Sequence, residues 1–175
     1  MTLDSKRLAR QKSILRKWVE KDCRGTLEAC TGFGKTYTAV LAIQKTNEQY
    51  PNNTILVVVP TRHLKEQWEK QVEEHYLENV TVAIINSSVR RKHTCDFLIL
   101  DEIHNYASTV FGKIFKLVTY DWILGLTATL ERKLSVKNAS LIKLEYLIFA
   151  MFLLTQGLVY ATTTYNAIFD SKSVI

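Results

Sequence analysis

Proline, glycine and cysteine are all scarce in this chain, and each shortage narrows the reading. Two prolines and six glycines leave little room for long linkers, and no internal repeat or low-complexity segment is visible. Three cysteines, Cys23, Cys30 and Cys95, are odd in number, scattered and without a CxxC pair. The expectation is reduced thiols. His63, His75, His93 and His104 show no spacing with them that suggests zinc. The opening MTLDSKRLARQKS is polar and lacks the apolar stretch of a secretory leader, so a cytoplasmic protein is expected. At 47% hydrophobic and 23% charged residues the chain reads as globular. Its 175 residues suit one domain with a real core and are short for two.

The net charge of +6 is uneven, because residues 1–24 hold eight Lys/Arg against three Asp/Glu. Leu8, Ile14, Leu15, Trp18 and Val19 recur at near-helical spacing, which predicts an amphipathic helix over 5–21 with a basic outer face. Such a face suits a polyanion such as nucleic acid, or serves only as a solvated surface. Further strands are predicted at 54–60 (TILVVVP), 80–85 (VTVAII), 96–100 (DFLIL) and 122–129 (WILGLTAT). Helices are predicted near 35–49, 62–77 and 107–118, with SSVRRKHTC as a polar, basic crossing. The β-branched runs have the continuous hydrophobicity of strands buried on both faces. Alternation of strand and helix through the first 130 residues predicts a three-layer α/β domain with a mainly parallel sheet.

Between the first apolar run and the helix at 35 lies ACTGFGKT. A strand, a glycine-bearing loop (Thr31, Gly32, Phe33, Gly34) and a helix N-terminus are the parts of a phosphate cradle. Backbone N–H groups and the positive end of the helix dipole face inward there. Lys35 would reach the β/γ-phosphates of a nucleotide such as ATP, and the Thr36 hydroxyl would ligate Mg²⁺. Ala29 stands where the first glycine of GxxxxGK[ST] would be, and a structural glycine turn is the competing reading. Asp101 and Glu102 follow LIL directly. A carboxylate at a strand tip opposite a phosphate loop can serve the metal, and its neighbour can orient and deprotonate the attacking water. Asp101 is assigned to the metal and Glu102 to the general base; the alternative is a pair that caps the next helix. The phosphate loop, Thr61, Asp101 and Thr127 all follow predicted strands, so the sheet should gather them at one edge, where ligands bind in such sheets.

ACTGFGKT, VVVPTRHLKEQW, LILDEIH and LGLTATLER, in that order, resemble motifs I, Ia, II and III of superfamily 2 helicases of the DEXH-box group. The ending TAT-x-ER is similar to the XPB-like and phage repair-helicase branch. The resemblance covers about residues 7–132 and implies a RecA-like (P-loop NTPase) ATP-binding domain with ATP and Mg²⁺ as cofactors. It implies further roles. Gln11 matches the glutamine that reads the adenine edge, although Arg10 replaces the aromatic found before it. Thr61 and Arg62 match the element that contacts the nucleic-acid backbone, and Asn86-Ser87 match a further strand-binding element more weakly. His104, with Thr127, Ala128 and Thr129, matches the coupling between ATP state and the nucleic-acid site. Relatives of this kind use a second RecA-like domain that supplies an arginine finger. No QxxGRxxR-like segment follows Arg132, so the expectation is a first domain at 1–132, apparently truncated or half of a split enzyme.

Residues 133–175 would form a tail, with an apolar helix at 146–156 buried against the protein and a connector toward an absent second domain. Lys143, Glu145, Gln156 and Gly157 cut its apolar run too short for a membrane span. The expected function is the ATP-binding domain of a DNA helicase or translocase. The alternative is a non-catalytic, degenerate helicase half that binds nucleic acid or protein. A small nucleotide kinase is disfavoured by the TAT motif and the lack of an arginine-rich lid.

Overall fold

The computed structural model describes residues 3–104 and 113–128, all within one compact unit, Met1–Leu130. The expected apolar helix at 146–156, the connector and Thr129 lie outside the described residues. Twelve elements follow in order: α1 (Leu3–Val19), β1 (Arg24–Glu28), α2 (Lys35–Gln49), β2 (Ile55–Val59), α3 (Arg62–Glu74), β3 (Val80–Ile84), α4 (Ile85–Ser88), β4 (His93–Thr94), β5 (Phe97–Leu100), α5 (Ile114–Leu117), β6 (Val118–Thr119) and β7 (Trp122–Thr127). Five strands make a parallel sheet in the order β1-β7-β5-β2-β3. The chain therefore leaves β1, skips two strand positions to reach β2, and fills the gap later with β5 and β7. All five strand tips point to the same edge.

Period-two alternation divides the core into two layers, as a sheet covered on both faces requires. Ile55, Val57 and Val59 of β2 and Ile99 of β5 pack with Trp18, Ala39, Ile43 and Trp68 from α1, α2 and α3. Leu56 and Val58, with Leu98 and Leu100, pack with Ile85, Cys95, Ile114 and Val118 on the opposite face. The expected strands and helices are present, most within one or two residues; α3 ends three residues early, at Glu74. Two expectations are corrected. The basic crossing contains the one-turn α4 and the short β4, because β4 pairs in parallel with β6. Of the helix expected over 107–118, Ile114–Leu117 is helical and Val118 already belongs to β6; residues 105–112 are outside the described ones.

Two anchors set the ends of the sheet. At its amino edge, the Thr54 N–H and Oγ1 donate to Asp96 Oδ2 at 2.6 and 2.8 Å, locking β2 against β5. On the flank, the Trp18 indole donates to Ile123 O at 2.9 Å and its ring lies 5.3 Å from that of Phe97. Gln11, seven residues earlier on α1, is thereby carried about 10 Å up the helix toward the carboxyl edge.

Gly125 is required by close approach. A Cβ there would meet Ile103 Cδ1 at 2.7 Å and Thr26 Oγ1 at 2.8 Å, so Ile103 lies flat on β7 only because the side chain is missing. Gly125→Ala should overpack this contact and cost about 1–3 kcal/mol. The expected result is a lower urea midpoint with an unchanged slope; an unaltered midpoint would show that Ile103 is free to move aside.

Candidate functional site

The sheet order decides which side chains meet. β1 leads into the glycine loop, its neighbour β7 ends at Thr127, the next strand β5 is followed directly by Asp101, and α3 descends from the tip of β2. Along this edge runs a chain of polar contacts. Lys35 Nζ donates to Ala29 O at 3.0 Å, and Ala29 N–H donates to Thr127 O at 3.1 Å. Thr127 Oγ1 lies 3.1 Å from His104 Nδ1, which in turn lies 3.3 Å from Glu102 Oε2. The Glu102 N–H donates to Asp101 Oδ1 at 2.9 Å, and the Trp68 indole N–H donates to Asp101 Oδ2 at 2.8 Å. Lys35, Asp101, Glu102, His104 and Thr127 are thus brought together, with Ala128 next to the last.

The loop itself is shaped for a ligand that approaches backbone. Gly34 has φ of 88°, the left-handed region that glycine adopts without strain. A Cβ there would come within 2.7 Å of Gln11 Nε2. Gln11 is 2% exposed, and its amide donates to Phe33 O at 3.1 Å and Gly34 O at 3.3 Å. Its nitrogen is therefore spent on the loop, while the amide oxygen has no such bond to the loop. Gly32 also has a positive φ, 83°, and a Cβ there would meet nothing within 4 Å. Thr31 and Gly32 are exposed and Thr36 half-buried at the first turn of α2.

Asp101 is 5% exposed. Burial pushes its carboxyl above the ordinary carboxylate value of 3.8, and Glu102 adds to the rise. The Trp68 bond, the Glu102 N–H and the Lys35 charge oppose it. Lys35 and Asp101 lie along the same sheet edge, with β7 between the strands that precede them. Glu102 stands at φ 51°, strained for a residue with a Cβ. Its buried Oε2 has no hydrogen-bond partner among the described residues, since the His104 contact is off the line of a hydrogen bond. An ionisable oxygen left buried, half-paired and on a strained backbone calls for a further partner.

These residues fit a magnesium–nucleotide. Mg²⁺ prefers to keep phosphate oxygens and water as most of its ligands. Thr36 and Asp101 would complete the shell.

The nucleic-acid candidates occupy the other half of the same edge. Thr61 caps α3, accepting from Leu64 N–H at 3.2 Å, with Arg62 exposed beside it. Asn86 and Ser87 lie exposed on α4 beyond the edge strand β3, and Ser87 Oγ donates to Ile84 O. With four strand spacings between β1 and β3, they stand roughly 19 Å from the glycine loop. They share its edge without touching it.

Trp68 was not legible as a site residue. It belongs to the single apolar stripe Leu64, Trp68, Val72 of an otherwise polar helix, which signals core. The usable clue was its indole N–H, which needs a polar partner once the ring is buried. Trp68→Phe keeps the packing but removes the donor. It should cost about 1–3 kcal/mol at pH 7 by leaving a buried charged acceptor unpaired. The sign with pH follows from the raised carboxyl. The penalty for a charged buried Asp101 appears as pH rises above the unfolded value and vanishes where both states are protonated. The stability loss of Trp68→Phe, read by chemical denaturation, should therefore shrink toward pH 4; an equal loss at both pH values would assign Trp68 to packing alone.

The sheet, the glycine loop and the carboxyl edge define a RecA-like helicase core domain. The chain belongs to the family described as type III restriction enzyme, res subunit, which matches residues 5–94. It is 29% identical over 141 residues to the DNA 3'-5' translocase XPB2 of Sulfurisphaera tokodaii, covering 70% of this chain and 30% of that protein. Among solved structures, the SWI2/SNF2 ATPase core domain of Sulfolobus solfataricus superposes with a TM-score of 0.64 at 17% identity, over 96% of this chain and 42% of that one. The UvsW helicase of bacteriophage T4 superposes with a TM-score of 0.55 at 16% identity, over 77% and 55%. The chain spans less than half the length of the curated relatives it matches.

Proposed function

We propose that this chain is the ATP-binding half of a DEXH-box DNA helicase or translocase. The observation that carries the reading is the polar chain from Lys35 to Asp101, which joins a cation on a glycine loop to an acidic pair two strands away. ATP with Mg²⁺ supplies the phosphoryl group and the counter-charge. Lys35 would leave Ala29 O for the β/γ-phosphates, with Thr36 and Asp101 toward the metal. Glu102 would take the proton of the attacking water, which would give its buried Oε2 a hydrogen-bond partner. His104 would feel that change and pass it to Thr127, Ala128 and Thr129.

Gln11 would tie the adenine edge to the loop it already holds. Thr61, Arg62, Asn86 and Ser87 would hold nucleic-acid backbone. DNA is preferred to RNA because the Sulfurisphaera tokodaii relative is a DNA translocase. A second RecA-like domain, in the same polypeptide or in another, would be needed to stabilise the transition state for full turnover.

Cys30 makes a direct reporter of this site. It is exposed within the loop, whereas burial pushes the Cys95 thiol up to about 12 and raises that of Cys23 with help from Asp22. N-ethylmaleimide should therefore react first at Cys30. Mg-ATP should slow that reaction tenfold or more in the native chain and leave it unchanged in Lys35→Ala. Phosphate release by the chain alone should be slow; brisk DNA-stimulated turnover would remove the need for a second domain. Unprotected Cys30, together with DNA binding that ignores ATP, would favour the non-catalytic module.

A further inference from the structure

The linear sequence concentrates positive charge in α1, but folding assembles a second basic surface on the opposite face of the sheet. β4 pairs with β6 in the register His93↔Val118 and Thr94↔Thr119. The residues just before them, Arg91-Lys92 and Lys116-Leu117, therefore enter side by side. α4 packs beside α5; Arg90 follows α4 by two residues and Lys113 immediately precedes α5. Arg90, Arg91, Lys92, Lys113 and Lys116 are all exposed. Their supporting elements bury Ile85, Ile114 and Val118 in the layer away from α1, α2 and α3.

Lysines on two helices of the other face are partly neutralised. On α2 and α3, Lys45, Lys65 and Lys70 pair with Glu48, Glu69 and Glu74. None of the five cations on the other face has an ion pair among the described residues. No acidic residue occurs between 85 and 95 or between 105 and 120. The nearest, Asp96 and Asp121, lie at the amino edge, and Asp96 is bonded to Thr54. Five unneutralised cations held together by a sheet register are costly to the fold through mutual repulsion and suit a polyanion.

We propose that this face binds the phosphate backbone of duplex nucleic acid outside the strand path at the carboxyl edge. Two features select a duplex. Among the described residues the patch carries no exposed aromatic side chain, as Phe115 and Tyr120 are half-buried, and single strands are held on such stacking platforms. It also begins one turn after Asn86 and Ser87, so a duplex arm could continue from that edge across α4. The proposal relies on the helicase reading only for the identity of the polyanion.

The test is duplex affinity against salt, measured by fluorescence anisotropy without nucleotide on the full chain, for the native protein, Arg90→Ala/Arg91→Ala/Lys92→Ala and Lys113→Gln/Lys116→Gln. Exposed positions should leave the thermal midpoint intact. Expected are a low-salt affinity reduced about tenfold or more in the triple variant and a slope of log affinity against log salt shallower by about 3, with about 2 for the double variant. An oligo-dT strand should lose much less affinity. Unchanged slopes would overturn the proposal. So would an equal loss for oligo-dT, which would make the occupant a single strand, or a loss confined to anionic lipid vesicles. Lys35→Ala serves as the internal control: should it lose nucleotide protection at Cys30 or keep it, the duplex slopes are read independently.

Discussion

Lys35 and Asp101 are separated by 66 positions in the chain and by one intervening strand in the sheet, and the polar contacts bridging that strand are what make an edge into a site. Each link is ordinary. A hydrogen bond to a charged group contributes about 1.5–3 kcal/mol and a neutral one about 0.5–1.5 kcal/mol. Their arrangement in series is what matters, because Thr127 touches the loop through its carbonyl and His104 through its hydroxyl. The loop and the acidic turn are thereby joined through a single residue, Thr127. The late insertion of β7 between β1 and β5 creates this geometry, and Gly125 on the same strand lets the turn lie close.

The edge is built against the local preferences of its residues. Glu102 has a left-handed backbone, Asp101 is a carboxylate in a nearly dry environment, and the Lys35 ammonium rests on a carbonyl. A strained non-glycine residue costs on the order of 1–3 kcal/mol, and a buried carboxylate costs more unless it is bonded. What offsets them is a sheet whose inner strands β5 and β2 are buried at every residue, with tryptophans bonded at its two edges: Trp18 on Ile123 and Trp68 on Asp101. Conflict between local rule and global fold gathered at one edge is what a functional site produces.

Much of this could be read from the sequence because the signals were local. Runs such as Ile55–Val59 and Phe97–Leu100 declare buried parallel strands, and Gly34-Lys35-Thr36 and Asp101-Glu102 sit at strand tips that any such sheet must align. Thr61 caps α3 through a contact decided within three residues. What stayed hidden depends on partners distant in sequence. Trp68 read as core because its indole partner is 33 residues away. Gln11 was expected to face a base, and its bonds to Phe33 O and Gly34 O required knowing how α1 packs. The β4–β6 pair joins segments that show no β pattern, as two residues are too few for periodicity. The basic face was invisible for the same reason, since its halves are joined by that register and by α4 packing beside α5.

The proposed roles thus divide across one sheet, with the nucleotide candidates over β1, β7 and β5 and the nucleic-acid candidates over β2 and β3. The connection between the halves is Trp68, which descends from the helix capped by Thr61 to hold Asp101. A calorimetric titration of ATP into the native chain and Asp101→Ala, each in Mg²⁺ and in EDTA, tests the shared site most directly. Binding to the native chain should tighten about tenfold or more with Mg²⁺, and that gain should vanish in Asp101→Ala. Equal affinities in the native chain, or a full metal gain without Asp101, would contradict a lysine and a carboxylate meeting around one metal-bound triphosphate.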